Sequence, residues 1–269
     1  MLFVMGASGR VGGALVHALD GRLPLRCVGR RPGGVPFDLL DPATFDAALD
    51  GVTSVFLMRP PQIASGAAFR PFLDACTARG IARMAVLSVK GAERNRVLPH
   101  HGMEQEVMRR GFEWTMLRPA DFMQNLETVH RDDIRERGQI AVPAGRGASA
   151  FIDVADVGAV AAKVLTEDGH AGHGYTLTGP EALTFTQVAR IMSEVLCRQI
   201  TYAPPWIAQF IARRRQEGTP LGMALVMTAL YSVQRFGGAA EVTDDLIRLL
   251  GRPAGDLRSY VARRRTVWQ

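Results

Sequence analysis

The feature that most constrains the fold is a set of three regularly spaced glycines directly behind the first apolar segment. The chain begins MLFVMGASGRVGGALVHAL, in which Gly6, Gly9 and Gly12 stand three residues apart. Glycines between a strand and a helix let the backbone pass close to a ligand, and the helix N-terminus offers N–H groups to a pyrophosphate. The pattern is weak alone and much stronger after the first strand of an alternating chain. A tight turn without a ligand is the alternative.

Strand-like and helical segments alternate through the first 120 residues. The predicted strands are the apolar segments 2–6, 25–30, 35–41, 52–58, 83–88 and 112–118. Helical periodicity separates them, for example at 66–79. This alternation predicts an α/β fold, a doubly wound parallel sheet of the Rossmann type.

The rhythm loosens after residue 120. We therefore predict a dinucleotide-binding core at 1–120 and a smaller, discontinuous α/β cap for substrate at 121–269, with segments around 149–180 partly returning to the core. The last seventy residues are predicted to be mainly helical.

Composition excludes several classes of protein. The 269 residues are 47% hydrophobic and 22% charged, which is typical of a globular chain. The net charge is +6, but the arginine runs at 213–215 and 263–265 are short and lack interleaved aromatics, so we interpret them as solvated helix faces and expect no nucleic-acid partner. The longest apolar stretch, 221–233, is too short to span a bilayer.

The three cysteines indicate a reducing compartment. They are odd in number and lack metal-binding spacing, so we expect buried thiols and no metal site. We expect a cytoplasmic protein, a monomer or homodimer, that acts on a small molecule without a membrane partner.

The end of the second predicted strand indicates which dinucleotide is bound. An acid there would bind the ribose hydroxyls of NAD, but the sequence is Gly29-Arg30-Arg31-Pro32. A guanidinium suits a ribose 2′-phosphate, so we expect NADPH, with Arg30 as the main contact and Arg31 in support. Arginines of a surface loop are the alternative. Asp38 and Leu39 are expected to border the adenine.

Four motifs together resemble a known family. They are GASGRVG, LRPADFMQN at 117–125, FIDVADVGAVAAKVL at 151–165 and YTLTGPEALTF at 175–185. The chain resembles the atypical short-chain dehydrogenases/reductases of the NmrA-like group, and within it the NAD(P)H:quinone oxidoreductase type and the ergot-alkaloid-type reductases. The resemblance implies a Rossmann fold with a small C-terminal substrate domain.

The cofactor site is predicted from the glycine motif and from this resemblance. The resemblance implies that residues following the fourth, fifth and sixth predicted strands contact the ribose or nicotinamide. Lys90 has two open interpretations, a contact to a ribose or substrate oxygen and a surface position. Besides the arginines, Asp38 and Leu39, the expected cofactor residues are Gly6, Ala7, Ser8, Gly9, Arg10, Val11, Gly12, Met58, Arg59, Pro60, Ser88, Lys90, Pro119, Ala120 and Phe122.

The usual proton donor of short-chain dehydrogenases is missing from the sequence. Those enzymes use a tyrosine with a lysine four residues later, whereas the four tyrosines here precede Gly179, Trp206, Arg235 and Arg264 at that spacing. The segment PHHGMEQEV before the sixth predicted strand instead places His100 and Glu104 on one helix face.

His100 and Glu104 are therefore the predicted catalytic pair. We expect His100 to donate a proton while Glu104 orients the ring and favours its charged form. The alternative is an exposed histidine beside acids that suit the helix dipole. Loss of the tyrosine fits acceptors such as quinones, enones and iminium ions better than plain ketones.

The substrate pocket is the part that the sequence predicts least well. The candidates are Phe122, Asn125, Met223 and Met227, although methionines at this helical spacing are more often core residues. The predicted function is an NADPH-dependent oxidoreductase. A cofactor-binding redox sensor without turnover and a non-redox isomerase on the same fold are the alternatives.

Overall fold

The computed structural model describes residues 1–28 and 35–269 of the chain. The strands are β1 (Leu2–Met5), β2 (Leu25–Val28), β3 (Ser54–Met58), β4 (Arg83–Leu87), β5 (Glu113–Pro119), β6 (Gln139–Ile140), β7 (Ala148–Ser149), β8 (His173–Leu177), β9 (Leu183–Thr184) and β10 (Thr201–Tyr202). The helices are α1 (Arg10–Leu19), α2 (Phe45–Leu49), α3 (Arg70–Ala78), α4 (Pro99–Met108), α5 (Arg131–Arg137), α6 (Val154–Thr166), α7 (Phe185–Leu196), α8 (Ile207–Gln216), α9 (Leu221–Arg235), α10 (Asp245–Leu250) and α11 (Leu257–Arg263).

The chain divides into two compact units. The first comprises residues 1–119, 154–177 and 244–253, and the second comprises 120–153, 178–243 and 254–269. The sequence assigned 244–253 to the cap, but the structure places it in the first unit. The reason is a capping contact, since Asp245 accepts the N–H of Thr176 on β8 at 2.8 Å.

A six-stranded parallel sheet forms the centre of the first unit, in the order β2-β1-β3-β4-β5-β8. This sheet confirms the predicted α/β fold class. The order reverses at β1, which has β2 on one side and β3 on the other. In open parallel sheets, ligands bind outside the carboxyl ends of the strands at such a switch point.

Both faces of this sheet are covered because successive side chains of each strand point to opposite sides. Phe3 and Met5 pack into a cluster with the apolar faces of α2, α3 and α4, while Leu2 and Val4 are buried on the other face. Helices α1 and α6 pack together. Burial on both faces explains why these strands are continuously apolar in sequence.

The strand predicted at 35–41 does not form. Val35 makes one isolated parallel bridge to Val28, and a turn follows in which Asp38 accepts the N–H of Leu40 at 2.9 Å. Pro36 has no N–H for a ladder. Asp38 completes the turn by hydrogen-bonding the backbone two residues on, so the chain leaves the sheet and enters a 3₁₀ turn at 42–44.

The second unit contains two small sheets and the remaining helices. Strand β10 pairs with β6 in parallel, and β7 pairs with β9 in antiparallel fashion. Its core includes Phe185, Phe210, Tyr260 and Trp268. Among residues 1–28 and 35–269, no helix has the length and apolar character needed to cross a membrane.

Candidate cofactor and active site

The glycine loop joins β1 to α1, and its glycines are there because side chains do not fit. Gly6 has φ of +68°, and a Cβ on it would overlap the sulfur of Met58. A Cβ on Gly12 would overlap the carbonyl oxygen of Gly6. The loop is thus closed on itself, and Gly9 donates its N–H to the Gly6 carbonyl at 2.8 Å.

The start of α1 matches what a pyrophosphate needs. Gly9 at the N-cap supplies no side-chain cap, and the first turn carries no acidic residue. The first helical N–H groups and the positive end of the helix dipole therefore stay available to an anion. The seven residues predicted from the motif, 6–12, all lie in this loop and first turn, and they fit a dinucleotide.

The predicted contacts to the adenosine end are only partly described. Arg30 and Arg31 lie outside the described residues. Asp38 is exposed and forms its own turn, while Leu39 is buried in the apolar cluster of the first unit. Their contacts to the adenine stay a prediction.

Residues at the carboxyl ends of the strands converge in the first unit. Met58 at the end of β3 lies against Gly6, and Ser88 follows β4 as a buried residue. The backbone N–H of Lys90 donates to the carbonyl of Pro119 at the end of β5, at 3.0 Å. Pro60 is half-buried. These positions agree with the predicted edge of the sheet, and their ligand contacts stay a prediction.

His100 lies in the first turn of α4, next to Arg59. The Nε–H of Arg59 donates to Nε2 of His100 at 3.4 Å, so that ring nitrogen acts as an acceptor and the ring proton is assigned to Nδ1. Burial and the Arg59 charge lower the pKa of His100 to about 4, although Glu104 acts in the opposite direction. Desolvation and the arginine thus act against the expected charging of the ring by Glu104, and the catalytic roles of His100 and Glu104 stay a prediction.

Glu104 is fully buried, and its carboxylate is bound by two other residues. Ser88 donates its hydroxyl to Oε1 at 2.5 Å, and Arg118 donates to both oxygens at 3.0 and 2.7 Å. A buried charge needs a partner with good geometry, and this bidentate ion pair with Arg118 compensates the buried charge of Glu104. The structure thus assigns Glu104 to joining α4 to β5. The sequence did not identify Arg118 as the partner of Glu104, although the motif LRP places an arginine at the end of a predicted strand.

The four tyrosine hydroxyls are all hydrogen-bonded to other residues. Those of Tyr175 and Tyr231 bond to His170 and His130, at 2.9 and 3.1 Å. The hydroxyls of Tyr202 and Tyr260 donate to the Val142 carbonyl and to Glu127, at 2.9 and 2.6 Å.

The remaining predicted residues lie in the second unit. Phe122 is half-buried and bridges to Ile152, while Asn125 donates its amide to Asp121 at 2.7 Å. Asp121 also accepts from Gln234 at 2.7 Å, and burial raises its pKa. Sequence reasoning did not single out Gln234, because a glutamine within an apolar helix gives no signal for its partner. Ala120 begins this unit.

The two methionines of α9 have different surroundings. Met223 is 45% exposed, whereas Met227 packs against the apolar core of the second unit. Core packing, the alternative interpretation from sequence, therefore describes Met227 and not Met223. Among the described residues, no group of three or more His, Cys, Asp or Glu side chains is arranged to hold a metal ion.

The sheet, the switch point and the glycine loop define a dinucleotide-binding protein of the Rossmann type, and comparisons with known proteins agree. The family model for NAD(P)H-binding proteins matches residues 6–168. An NAD(P)H azoreductase of Xenophilus azovorans is 31% identical over 275 residues, covering 94% of each chain. An agroclavine dehydrogenase of Claviceps fusiformis is 29% identical and covers 99% of this chain and 98% of its own. The crystal structure of an NADPH-dependent quinone oxidoreductase of Escherichia coli, complexed with NADPH, has a TM-score of 0.88 at 26% identity and covers 98% of this chain and 99% of its own.

The chain belongs to the NAD(P)H-binding family, among the atypical short-chain dehydrogenases/reductases of the NmrA-like group. It is an NAD(P)H-dependent oxidoreductase, as its motifs predict.

Proposed function

We propose that this oxidoreductase uses NADPH to reduce an electrophilic small molecule, a quinone, an enone or an imine. The observation that carries the proposal is the environment of His100, where burial and Arg59 lower the pKa of the ring to about 4 although a protonated donor was expected. A quinone accepts hydride to give a stabilised phenolate that water protonates, and an iminium ion needs hydride alone. Such acceptors do not require the missing tyrosine.

The residues of the first unit then have separate roles. Bound NADPH supplies the hydride. The loop 6–12 holds the pyrophosphate, and Arg30 with Arg31 binds the 2′-phosphate. Met58, Ser88 and Pro119, at the ends of three neighbouring strands, shape the edge on which the nicotinamide lies.

His100 acts as a hydrogen-bond donor and not as a charged acid. Its Nε2 accepts from Arg59, so Nδ1 carries the proton and offers it to an acceptor atom of the substrate. Negative charge that develops on that atom is stabilised by this N–H. Of the proteins to which the chain is similar, the NADPH-dependent quinone oxidoreductase is named for one of these acceptors, and the NAD(P)H azoreductase is named for another electrophilic group.

The substrate class is tested by following NADPH absorbance with the purified chain against quinones, enones and cyclic imines. Turnover of one class, and slower reduction of simple ketones, is the expected result. Faster reduction of ketones contradicts the proposal. Saturable NADPH binding with no turnover across the panel supports the alternative of a redox sensor.

Coenzyme choice is tested with Arg30→Ala and Arg31→Ala. We expect KM for NADPH to rise and KM for NADH to stay within about twofold, because a 2′-phosphate contact contributes only to NADPH. Arg22→Ala is the matched control, since Arg22 is exposed and bonds the Leu19 and Ala18 carbonyls at the far end of α1. Equal effects on both coenzymes contradict the assignment of the 2′-phosphate site.

A further inference from the structure

Arg59 is held firmly by the turn that follows β3. Its Nη1 donates to the carbonyl oxygens of Pro60, Pro61 and Ile63 at 3.2, 3.1 and 2.6 Å. Its Nε donates to His100 at 3.4 Å, a long bond. The guanidinium plane is therefore fixed by its own loop, and little entropy remains to be lost when a ligand binds to it.

This held cation has no acidic partner among residues 1–28 and 35–269. Burial alone accounts for the lowered pKa of Arg59, and no carboxylate acts on it. Its Nη2 donates no hydrogen bond within the described part of the chain. By contrast, Arg118 and Arg110 are each paired with buried or half-buried acids.

A half-buried guanidinium without a counterion is hydrated on its exposed side and stays available to an anionic ligand. The three carbonyl oxygens accept hydrogen bonds from Nη1 alone. Because they carry no net charge, they do not neutralise the guanidinium. The edge formed by Nε and Nη2 is the side of a guanidinium that grips an oxyanion with two parallel bonds. Within the described part of the chain Nη2 donates no hydrogen bond, whereas Nε donates to His100, so Nη2 is the nitrogen of this edge that is left for a ligand.

The location of this edge is the second observation. Arg59 directly follows Met58, which lies against Gly6 of the loop, and it contacts His100. The edge therefore belongs to the carboxyl end of the parallel sheet, where ligands of this fold bind.

We propose that Arg59 selects acceptor substrates that carry an oxyanion, a carboxylate or a sulfonate, by binding it with the N–H groups of Nη2 while Nε keeps its hydrogen bond to His100. This proposal rests on the proposed reductase function and adds the charge of the substrate to it. An oxyanion has a second source, a phosphate of the cofactor, which the experiment separates from the acceptor.

The test compares 1,4-naphthoquinone with its 2-sulfonate in the wild type, Arg59→Gln and Arg59→Lys. For Arg59→Gln we expect KM of the sulfonate to rise about tenfold or more relative to KM of the neutral quinone, because a charge-assisted pair is lost with the sulfonate alone. Arg59→Lys should recover part of the loss, since it keeps the charge without the fork. Arg109→Gln is the control, because Arg109 is an exposed arginine at the end of α4.

A binding arm separates this proposal from the reductase function. Calorimetry measures 2-naphthalenesulfonate and NADPH, each with wild type and Arg59→Gln, and needs no turnover. Weaker sulfonate binding with an unchanged NADPH affinity supports the proposal even where no quinone is reduced. Weaker NADPH binding assigns Arg59 to a cofactor phosphate, and equal loss with both quinones assigns it to positioning His100; each of these results overturns the proposal.

Discussion

Arg118 and Glu104 form a two-pronged ion pair between β5 and α4, in which both carboxylate oxygens are bound, at 3.0 and 2.7 Å. Glu104 is fully buried, and Ser88 completes its hydrogen bonds. The glutamate that the sequence paired with His100 is thus occupied by a different partner. On the same face of α4, Glu104 joins the helix to β5, whereas His100, four residues earlier, belongs to the candidate site.

Removing the charge of Glu104 should destabilise the fold before it affects chemistry. In Glu104→Gln, Arg118 keeps only the more distant Glu93, so we expect the free energy of unfolding to fall by about 3 kcal/mol. Urea unfolding measures this fall. Glu167→Gln, which breaks an exposed pair with Lys163, should cost less than about 1 kcal/mol. A fully stable Glu104→Gln protein without activity would return the glutamate to a catalytic role.

His100 should make the protein less stable as the pH falls. Its pKa is about 4 in the folded chain and 6.5 in the ordinary state, so the unfolded chain binds the extra proton first. Stability is therefore lost between pH 6.5 and about 4, by roughly 2 kcal/mol after allowance for the partial exposure of the ring.

His100→Gln should flatten this part of the stability profile, whereas His17→Gln, at an exposed position on α1, should not change it. Urea unfolding at several pH values measures the profile. NMR titration of the ring is the direct check, and a ring that titrates near pH 6.5 in the folded protein contradicts the structure.

Alanine substitutions at two adjacent glycines of α1, Gly12 and Gly13, should affect NADPH binding differently. A methyl group at Gly12 overlaps the Gly6 carbonyl, whereas one at Gly13 lies 3.5 Å from the Ala7 carbonyl, an ordinary contact. We expect Gly12→Ala to weaken NADPH binding about tenfold or more, because the loop must open to admit the methyl group. Gly13→Ala should bind NADPH nearly as wild type does, as measured by nucleotide fluorescence titration. Equal affinities of the two variants would show that the Gly12–Gly6 approach is not needed for binding.

Replacing Cys197 by glycine should stabilise the fold. It follows α7 with φ of 53° and ψ of 36°, a left-handed backbone conformation that residues other than glycine adopt at a cost in free energy. We expect Cys197→Gly to raise the free energy of unfolding by about 0.5–1 kcal/mol and Cys197→Ala to leave it nearly unchanged. Thermal unfolding of both variants measures the difference, and a stabilised alanine variant contradicts this explanation.

The sequence alone determined the sheet, the glycine loop and the family. Runs of apolar residues indicate strands that are buried on both faces. Gly6 and Gly12 indicate positions at which a Cβ atom does not fit. These are local signals, so they can be found without coordinates. The strand at 35–41 was wrong because the turn made by Asp38 competes with pairing, and the balance depends on Pro36 and on neighbours distant in sequence.

Only the tertiary structure decided the partners of the charged residues. Helical spacing correctly placed His100 and Glu104 four residues apart, but the partner of each comes from another strand: Arg59 follows β3, and Arg118 lies on β5. Charge states depend on these long-range neighbours and on burial, which no periodicity reveals. The sequence therefore indicated the glycine loop as the cofactor site. The fold decided that burial and Arg59 lower the pKa of His100, and that Nη2 of Arg59 donates no hydrogen bond within residues 1–28 and 35–269.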